Sequence, residues 1–171
     1  MYDVMVDLET MGTGADAPII AIGAVSFNAD GIQDRYYRNV DLASCMKIGM
    51  CPDPDTIMWW LGQEQSARIA LMDDKMPIAA ALHEFTQWLD MNNVAGMWGN
   101  GAAFDNVILS TAYRMCKIEQ PWKFWNDRCY RTMKNMYPLI PFERKGTHHN
   151  ALDDAESQAL HLIEILKYIG E

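Results

Sequence analysis

The residues that can do chemistry here are mostly acids. Asp7 and Glu9 stand two apart in Tyr2-Asp3-Val4-Met5-Val6-Asp7-Leu8-Glu9-Thr10, whose apolar run at Val4, Met5, Val6 and Leu8 reads as a core strand. Side chains two apart on a strand share a face, so these carboxylates lie side by side. Two acids crowded near a core are unfavourable unless a cation sits between them. The competing reading is a strand that simply ends in solvent. Asp105 follows Gly99-Asn100-Gly101-Ala102-Ala103-Phe104 and falls in the opening turn of a helix. Alone, it could do no more than favour the helix dipole. Asp153 and Asp154 follow His148-His149-Asn150 in the same way. Each signal is weak by itself. Together they supply acids from a strand end and two helix starts, with a histidine beside the last acid.

These residues need a scaffold, and the pattern supplies one. Residues 19–27 form a second apolar strand, Asn28-Ala29-Asp30-Gly31 a hairpin turn, and residues 32–40 a third strand, giving an antiparallel meander. Residues 41–52 are ambiguous. Pro52 to Thr56 opens a helix with Ile57, Trp60 and Leu61 as its expected buried stripe, and Pro77 opens another that runs to about Met91. Val94–Gly99 is a short strand. Phe104–Cys116 is a helix with Val107, Ile108, Thr111, Ala112 and Met115 on its apolar face. Residues 117–148 are irregular, apart from a short helix near Tyr130–Met136. The last helix is capped by Asn150, with Asp153 in the capping-box position. Its stripe is Leu152, Ala155, Ala159, Leu162, Ile163, Leu166 and Ile169. Strands first, then strand and helices alternating, predict an α/β fold: a mixed sheet covered by helices.

Composition narrows the function. The chain has 171 residues, which suits one domain over 1–171. Fourteen basic and 23 acidic residues give a net charge of −9, which argues against binding long duplexes through a broad basic footprint. No apolar run is long enough for a membrane span, and no basic-then-apolar leader opens the chain, so a cytoplasmic location is expected. Cys45, Cys51, Cys116 and Cys129 form no C-x-x-C pair, so free buried or half-buried thiols are expected. The 13 methionines read as core filler.

On these motifs the chain resembles the DEDDh group of 3'-5' exonucleases in the RNase H-like superfamily, which includes RNase T, oligoribonuclease and bacterial proofreading subunits. The group's D-x-E motif is matched by Asp7 and Glu9, its Phe-Asp motif by Phe104 and Asp105, and its H-x4-D motif by His149 and Asp154. His148 with Asp153 also fits H-x4-D. The longer pattern H-x-A-L-x-D-A selects His149-Asn150-Ala151-Leu152-Asp153-Asp154-Ala155. One departure is clear: many relatives carry H-N-x-x-F-D, whereas Asn100-Gly101-Ala102-Ala103-Phe104-Asp105 shifts the Asn by one and puts Gly in its place. The segment Pro54-Asp55-Thr56-Ile57-Met58-Trp59-Trp60-Leu61 is also similar to small prophage-type exonucleases.

The resemblance implies an RNase H-like fold and a metal-dependent 3'-5' exonuclease acting on single-stranded RNA or DNA 3' ends or overhangs, with RNA slightly preferred, releasing nucleoside 5'-monophosphates. Asp7, Glu9, Asp105 and Asp154 would hold two Mg²⁺ or Mn²⁺ ions about 4 Å apart. Hard cations of this kind favour carboxylate oxygens. His149 would be the general base, since an imidazole titrates near ~6.5. Thr10, Met11 and Gly12 would meet the terminal nucleotide, their backbone N–H groups the 3'-hydroxyl and Met11 the last base, with Phe104 beside them. Arg128, Arg131 and Lys145, in a segment that also carries Lys134 and Arg144 against the single acid Glu143, are candidates for upstream phosphates. His148 is a further candidate contact, and Trp59, Trp60, Trp98, Trp122 and Trp125 are candidate stacking residues or core, with Trp98 expected in the core. Relatives acting on RNA are often dimers, so a homodimer is one candidate assembly by analogy alone. The alternatives are a catalytically silent nucleic-acid or protein-binding module on the same fold, an RNase H-type endonuclease, and, weakest, a calcium-binding structural protein, since no loop carries the required oxygen repeat.

Overall fold

The computed structural model describes residues 2–170, the side chains of Met91 and Asn92 excepted. β1 (Tyr2–Thr10) is an inner strand: one face is apolar and the other buries Met5 before its acids. Val4, Val6 and Leu8 point into one core layer and Met5 into another. β1 pairs antiparallel with β2 (Ile19–Asn28), which pairs antiparallel with β3 (Gly31–Val40). On its other side β1 pairs parallel with β5 (Val94–Gly99), and β5 with β6 (Asp127–Cys129). With β4 (Lys75–Met76) parallel to β3, the sheet order is β4-β3-β2-β1-β5-β6. This is the expected mixed α/β sheet.

The helices are α1 (Leu42–Lys47), α2 (Pro54–Leu61), α3 (Gln65–Ala70), α4 (Ile78–Asn92), α5 (Asp105–Cys116), α6 (Tyr130–Met136) and α7 (Ala151–Ile169). One face of the sheet packs on α4 and α5 through Ile78, Leu82, Phe85, Ile108, Leu109 and Tyr113. The other packs on α7 through Ala155, Ala159, Leu162 and Ile163. Burying each large aliphatic side chain contributes about 2 kcal/mol.

Several sequence expectations change. In α2 only Trp60 is buried, while Ile57 and Leu61 are 38% and 60% exposed. The helix is eight residues long and rests on one flank, where Trp60 Nε1 donates to Thr10 O at 2.9 Å. In α5 the inward face is centred on Ile108, Leu109, Ala112 and Tyr113, so Val107 is turned out. Asp153 does not close a reciprocal capping box. Asn150 Oδ1 accepts from the N–H groups of Leu152 and Asp153, but the Asp153 carboxylate accepts from Thr147 N. All four cysteines are free as expected, though Cys51 is exposed. Among the described residues no helix is long and apolar enough to cross a membrane.

Candidate active site

The acids gather at the C-terminal end of β1, on the face that carries α7. Asp7 and Glu9 continue the side of the strand begun by Met5. The register pairs Asp7 with Gly23 and Glu9 with Ala21, so small residues stand beside the acids. Gly23 is what admits the last helix. A Cβ there would lie 2.1 Å from Ala151 C and 2.3 Å from Leu152 N. The first turn of α7 therefore rests directly on β2 and brings Asp154 to Asp7 and Glu9. One carboxylate oxygen from each of these three residues falls within 4.8 Å of the others.

Asp105 arrives from the opposite layer. Gly101, at φ +111°, turns the chain after β5 so that α5 can start over the strand ends. Gly99 leaves room for it, since a Cβ would meet Asp105 Cβ at 3.0 Å and Asn106 Oδ1 at 2.3 Å. Asp105 is 2% exposed, and its Oδ1 accepts from Leu8 N at 3.2 Å. That bond fixes it at β1 between the two strand acids.

The electrostatics follow from crowding. Burial, and then the charges of Asp105 and Glu9, push the Asp7 carboxyl well above its ordinary range; the Gln158 hydrogen bond and the Arg144 charge offset part of this. Glu9 is pushed up to about 8, first by burial and then by Asp105. Asp105 is pushed up to about 7 by burial, against the lowering effect of backbone N–H bonds and of Arg131. Among the described residues, buried Glu9 Oε1 has no hydrogen-bond partner. An orphaned carboxyl oxygen beside further carboxyl groups, all held above their ordinary range by crowding and burial, fits a hard divalent cation with oxygen ligands, which would let them ionise.

The histidines sit at the mouth. His149 takes a left-handed backbone conformation at φ 61°, just before the Asn150 cap. Its N–H donates to Asp154 Oδ2 at 3.1 Å. Its ring lies 4.8 Å from that of Trp59 and stacks on His148 at 3.7 Å. Burial, then the neighbouring His148 and Arg144 charges, lower the His149 pKa, so the ring is neutral at pH 7 and able to accept a proton. Ring nitrogens of both histidines lie within 4.8 Å of an Asp154 oxygen.

Beside Glu9 opens a cleft of about 460 Å³, lined by Thr10, Gly12, Thr13, Trp59, Trp60 and Phe104 among others. It is large enough for one nucleotide. The Met11 N–H is already taken by Pro18 O at 2.8 Å, and the Met11 side chain packs with Ile20 and Trp60 around the neighbouring apolar groove. The expected Met11 backbone contact to a 3'-hydroxyl is therefore replaced by a contact within the protein. Thr10 Oγ1 likewise donates to Gly12 O at 2.7 Å.

The basic candidates divide. Arg131 Nη2 donates to Asn100 O at 2.6 Å, and its charge reaches Asp105. Arg128 is not brought to the carboxylates: its Nη1 donates to Trp125 O and Asp127 O, and its charge acts on Asp3 at the far end of β1. Lys145 is tied through its backbone to Ser157 Oγ, with its charge beside Glu156. Trp60, Trp98 and Trp122 are core residues, while Trp59 and Trp125 are 45% and 63% exposed.

Gln158 escaped the sequence reading, and Arg144, named there only within the basic segment, takes a different partner from the phosphate expected of it. Gln158 Nε2 donates to Asp7 Oδ1 at 2.7 Å. Its signal was present, because position 158 lies one helical turn from Asp154 on the same face. Arg144 forms an ion pair with Asp154. It lies in the irregular segment, where no period marks which cation turns inward.

Comparison with known proteins agrees with this geometry. The chain is 26% identical to the exodeoxyribonuclease of Enterobacteria phage T4, over 98% of this chain and 90% of that protein. The fold matches the nuclease domain of 3'hExo, a DEDDh family member solved with bound rAMP, at a TM-score of 0.69 and 14% identity, covering 98% and 92% of the two chains. It also matches S. pombe Pop2p, solved with Mg²⁺ and Mn²⁺ bound, at a TM-score of 0.60 and 15% identity, covering 96% and 82%. A model of the 3'-5' exoribonuclease Rv2179c-like domain matches residues 2–166; the chain belongs to that family and is a 3'-5' exonuclease.

Proposed function

We propose that the chain is a single exonuclease domain that removes nucleotides one at a time from 3' ends of single-stranded RNA, using Asp7, Glu9, Asp105 and Asp154 to hold two Mg²⁺ or Mn²⁺ ions. The observation that carries this reading is the gathering of the Asp7, Glu9 and Asp154 carboxylates within 4.8 Å, with the Asp105 charge acting on Asp7 and Glu9 and a Glu9 oxygen left without a partner among the described residues. When bound, the cations supply charge neutralisation and Lewis acidity. The 460 Å³ cleft between Phe104 and Trp59 seats the terminal nucleotide, with Thr10 and Gly12 along its floor. Neutral His149, at the cleft mouth next to Asp154, accepts the proton of the attacking water. His148, stacked on it, limits its rotation. Gln158 fixes the rotation of the Asp7 carboxylate. Arg131 stands where an upstream phosphate would pass. RNA is preferred over DNA on the family's description, although the T4 relative is named for DNA. The homodimer offered by the resemblance belongs to this reading and is tested by light scattering.

The test uses 5'-labelled RNA and DNA oligomers of one sequence with Mg²⁺, Mn²⁺ or EDTA. A ladder shortening from the 3' end, faster on RNA and stopped by EDTA, is expected. Cuts within the oligomer would replace this reading with an endonuclease, and intact RNA beside shortened DNA would reverse the sugar preference.

A further inference from the structure

The sheet ends at β6, a three-residue edge strand, and apart from Arg131 the residues around it carry an arrangement the active centre does not use. Just before it, Phe124 and Trp125 lie in a 3-10 turn (Phe124–Asn126), 75% and 63% exposed, with ring centroids 5.0 Å apart. Lys123 precedes them, Arg128 lies within β6, and Arg131 follows in the first turn of α6; all three are exposed. The segment's one acid, Asp127, is turned inward, where Oδ1 accepts from Asn106 Nδ2 at 2.8 Å and Trp122 Nε1 at 3.0 Å. Asp3, which accepts from Trp98 Nε1, feels the Arg128 charge. So in a protein of net charge −9, one edge presents cations and open aromatic faces with its own carboxylate withdrawn.

The edge also leads to the site. Arg131 is bonded to Asn100 O and acts on Asp105, while Arg128 lies within β6 and Trp125 in the turn before it, successively further from the site. The strand register aligns Asp127 with Met97 and Met97 with Val4. At about 3.3 Å per residue and 4.8 Å per strand, Trp125 then stands roughly 15–20 Å from Asp7. A strand with at least ~3.4 Å per nucleotide covers that in about six nucleotides or fewer.

We propose that the Lys123–Arg131 edge is a track for the upstream part of a single-stranded RNA substrate, with Arg131 and Arg128 along its phosphates and Trp125 and Phe124 stacking on bases about six nucleotides from the scissile bond. This rests on the exonuclease reading for its entrance at Arg131, but the stacking platform itself needs no catalysis. Stacking tolerates any base, and cations follow any sequence, so the track confers grip and not sequence choice.

The experiment compares wild type, Trp125→Ala and Lys123→Glu on 5'-labelled RNAs of two, four, eight and twelve nucleotides, together with anisotropy of a fluorescein-labelled twelve-nucleotide RNA in EDTA. In wild type, KM should fall with length and level off near eight nucleotides. In either variant the eight- and twelve-nucleotide KM should rise about 10-fold, with kcat and dinucleotide kcat/KM within twofold of wild type and Tm unchanged. The EDTA affinity should weaken by a similar factor. If KM is independent of length in wild type, or if both variants keep wild-type length dependence and EDTA affinity, the track is overturned. If the EDTA affinity responds but no RNA is shortened, the track stands and the exonuclease reading falls.

Discussion

Gln158 and Asp7 are joined by a 2.7 Å hydrogen bond that ties the last helix to the first strand. Gln158 is 4% exposed, and the bond is made by its amide nitrogen, so it can donate to a carboxylate without adding charge. A Leu of similar volume keeps the packing and removes the donor. Gln158→Leu should lower kcat 10- to 100-fold, the range typical for outer partners of metal ligands. Titration of Tm with Mn²⁺ should show weaker binding in the same variant. Wild-type kcat with wild-type Mn²⁺ affinity would show that the bond does not orient Asp7.

The crowded carboxylates give the metal-free protein a defined pH dependence. Glu9 titrates at about 8 in the folded chain, against an ordinary 4.5 when unfolded. Between these values the folded state holds a proton that the unfolded state has released, so folding loses stability as pH rises. The slope approaches about 1.4 kcal/mol per pH unit for one such group. Asp7 and Asp105 act in the same direction. Tm in EDTA should therefore fall between pH 5 and 8, and Mg²⁺ or Mn²⁺ should flatten the decline. Glu9→Gln should abolish activity yet raise the metal-free Tm at pH 8. A Tm in EDTA that is level or climbs across this window would contradict the site's electrostatics.

His149 can be separated from the metal ligands. His149→Ala should lose about 100-fold or more in kcat while the Mn²⁺-induced rise in Tm persists. Its lowered pKa places the acid limb of the wild-type rate profile below the ordinary imidazole value of 6.5. Activity should fall as pH drops through that region. A wild-type rate in the alanine variant would remove His149 from the proton-transfer role.

Gly23 tests the scaffold. In Gly23→Ala the added carbon meets the backbone of Ala151 and Leu152, which cannot move aside as a side chain would. The first turn of α7 must lift, taking Asp154 with it. A loss of about 3 kcal/mol or more is expected from chemical denaturation, with activity lost even at temperatures where the variant is folded. A stable, active Gly23→Ala would mean that the helix start is not pinned to β2.

The pattern of what could be read from residues alone has physical causes. β1, β2 and β3 are nine or ten residues long, enough for apolar runs and a turn signal to repeat. α4 and α7, at 15 and 19 residues, show several turns of periodicity. By contrast, α1 and α3 have six residues each, β4 two and β6 three, too few for any period. β6 exists because β5 offers it an edge, and Asp-Arg-Cys carries no strand signal of its own. The acids were legible because each sits at a regular element's end. Their polar supports were harder to see. Gln158 looked like an ordinary helix residue, and the opposite fates of Arg128 and Arg144 depend on which way an irregular chain turns. Val107 and Leu61 were misjudged because short helices bury a flank narrower than the apolar stripe suggests.

The separation between Asp7 and Gln158 also bears on when the enzyme can act. The two residues lie 151 positions apart, and neither β1 nor α7 holds the complete set of acids. A chain in which residues 151–169 have not yet folded does not have Asp154 in place and so has no complete centre. Such long-range contacts form late in folding. The centre is thereby completed only when α7 settles beside Gly23 and brings Asp154 to Asp7 and Glu9, so a sheet already formed without that helix is a fold without a site.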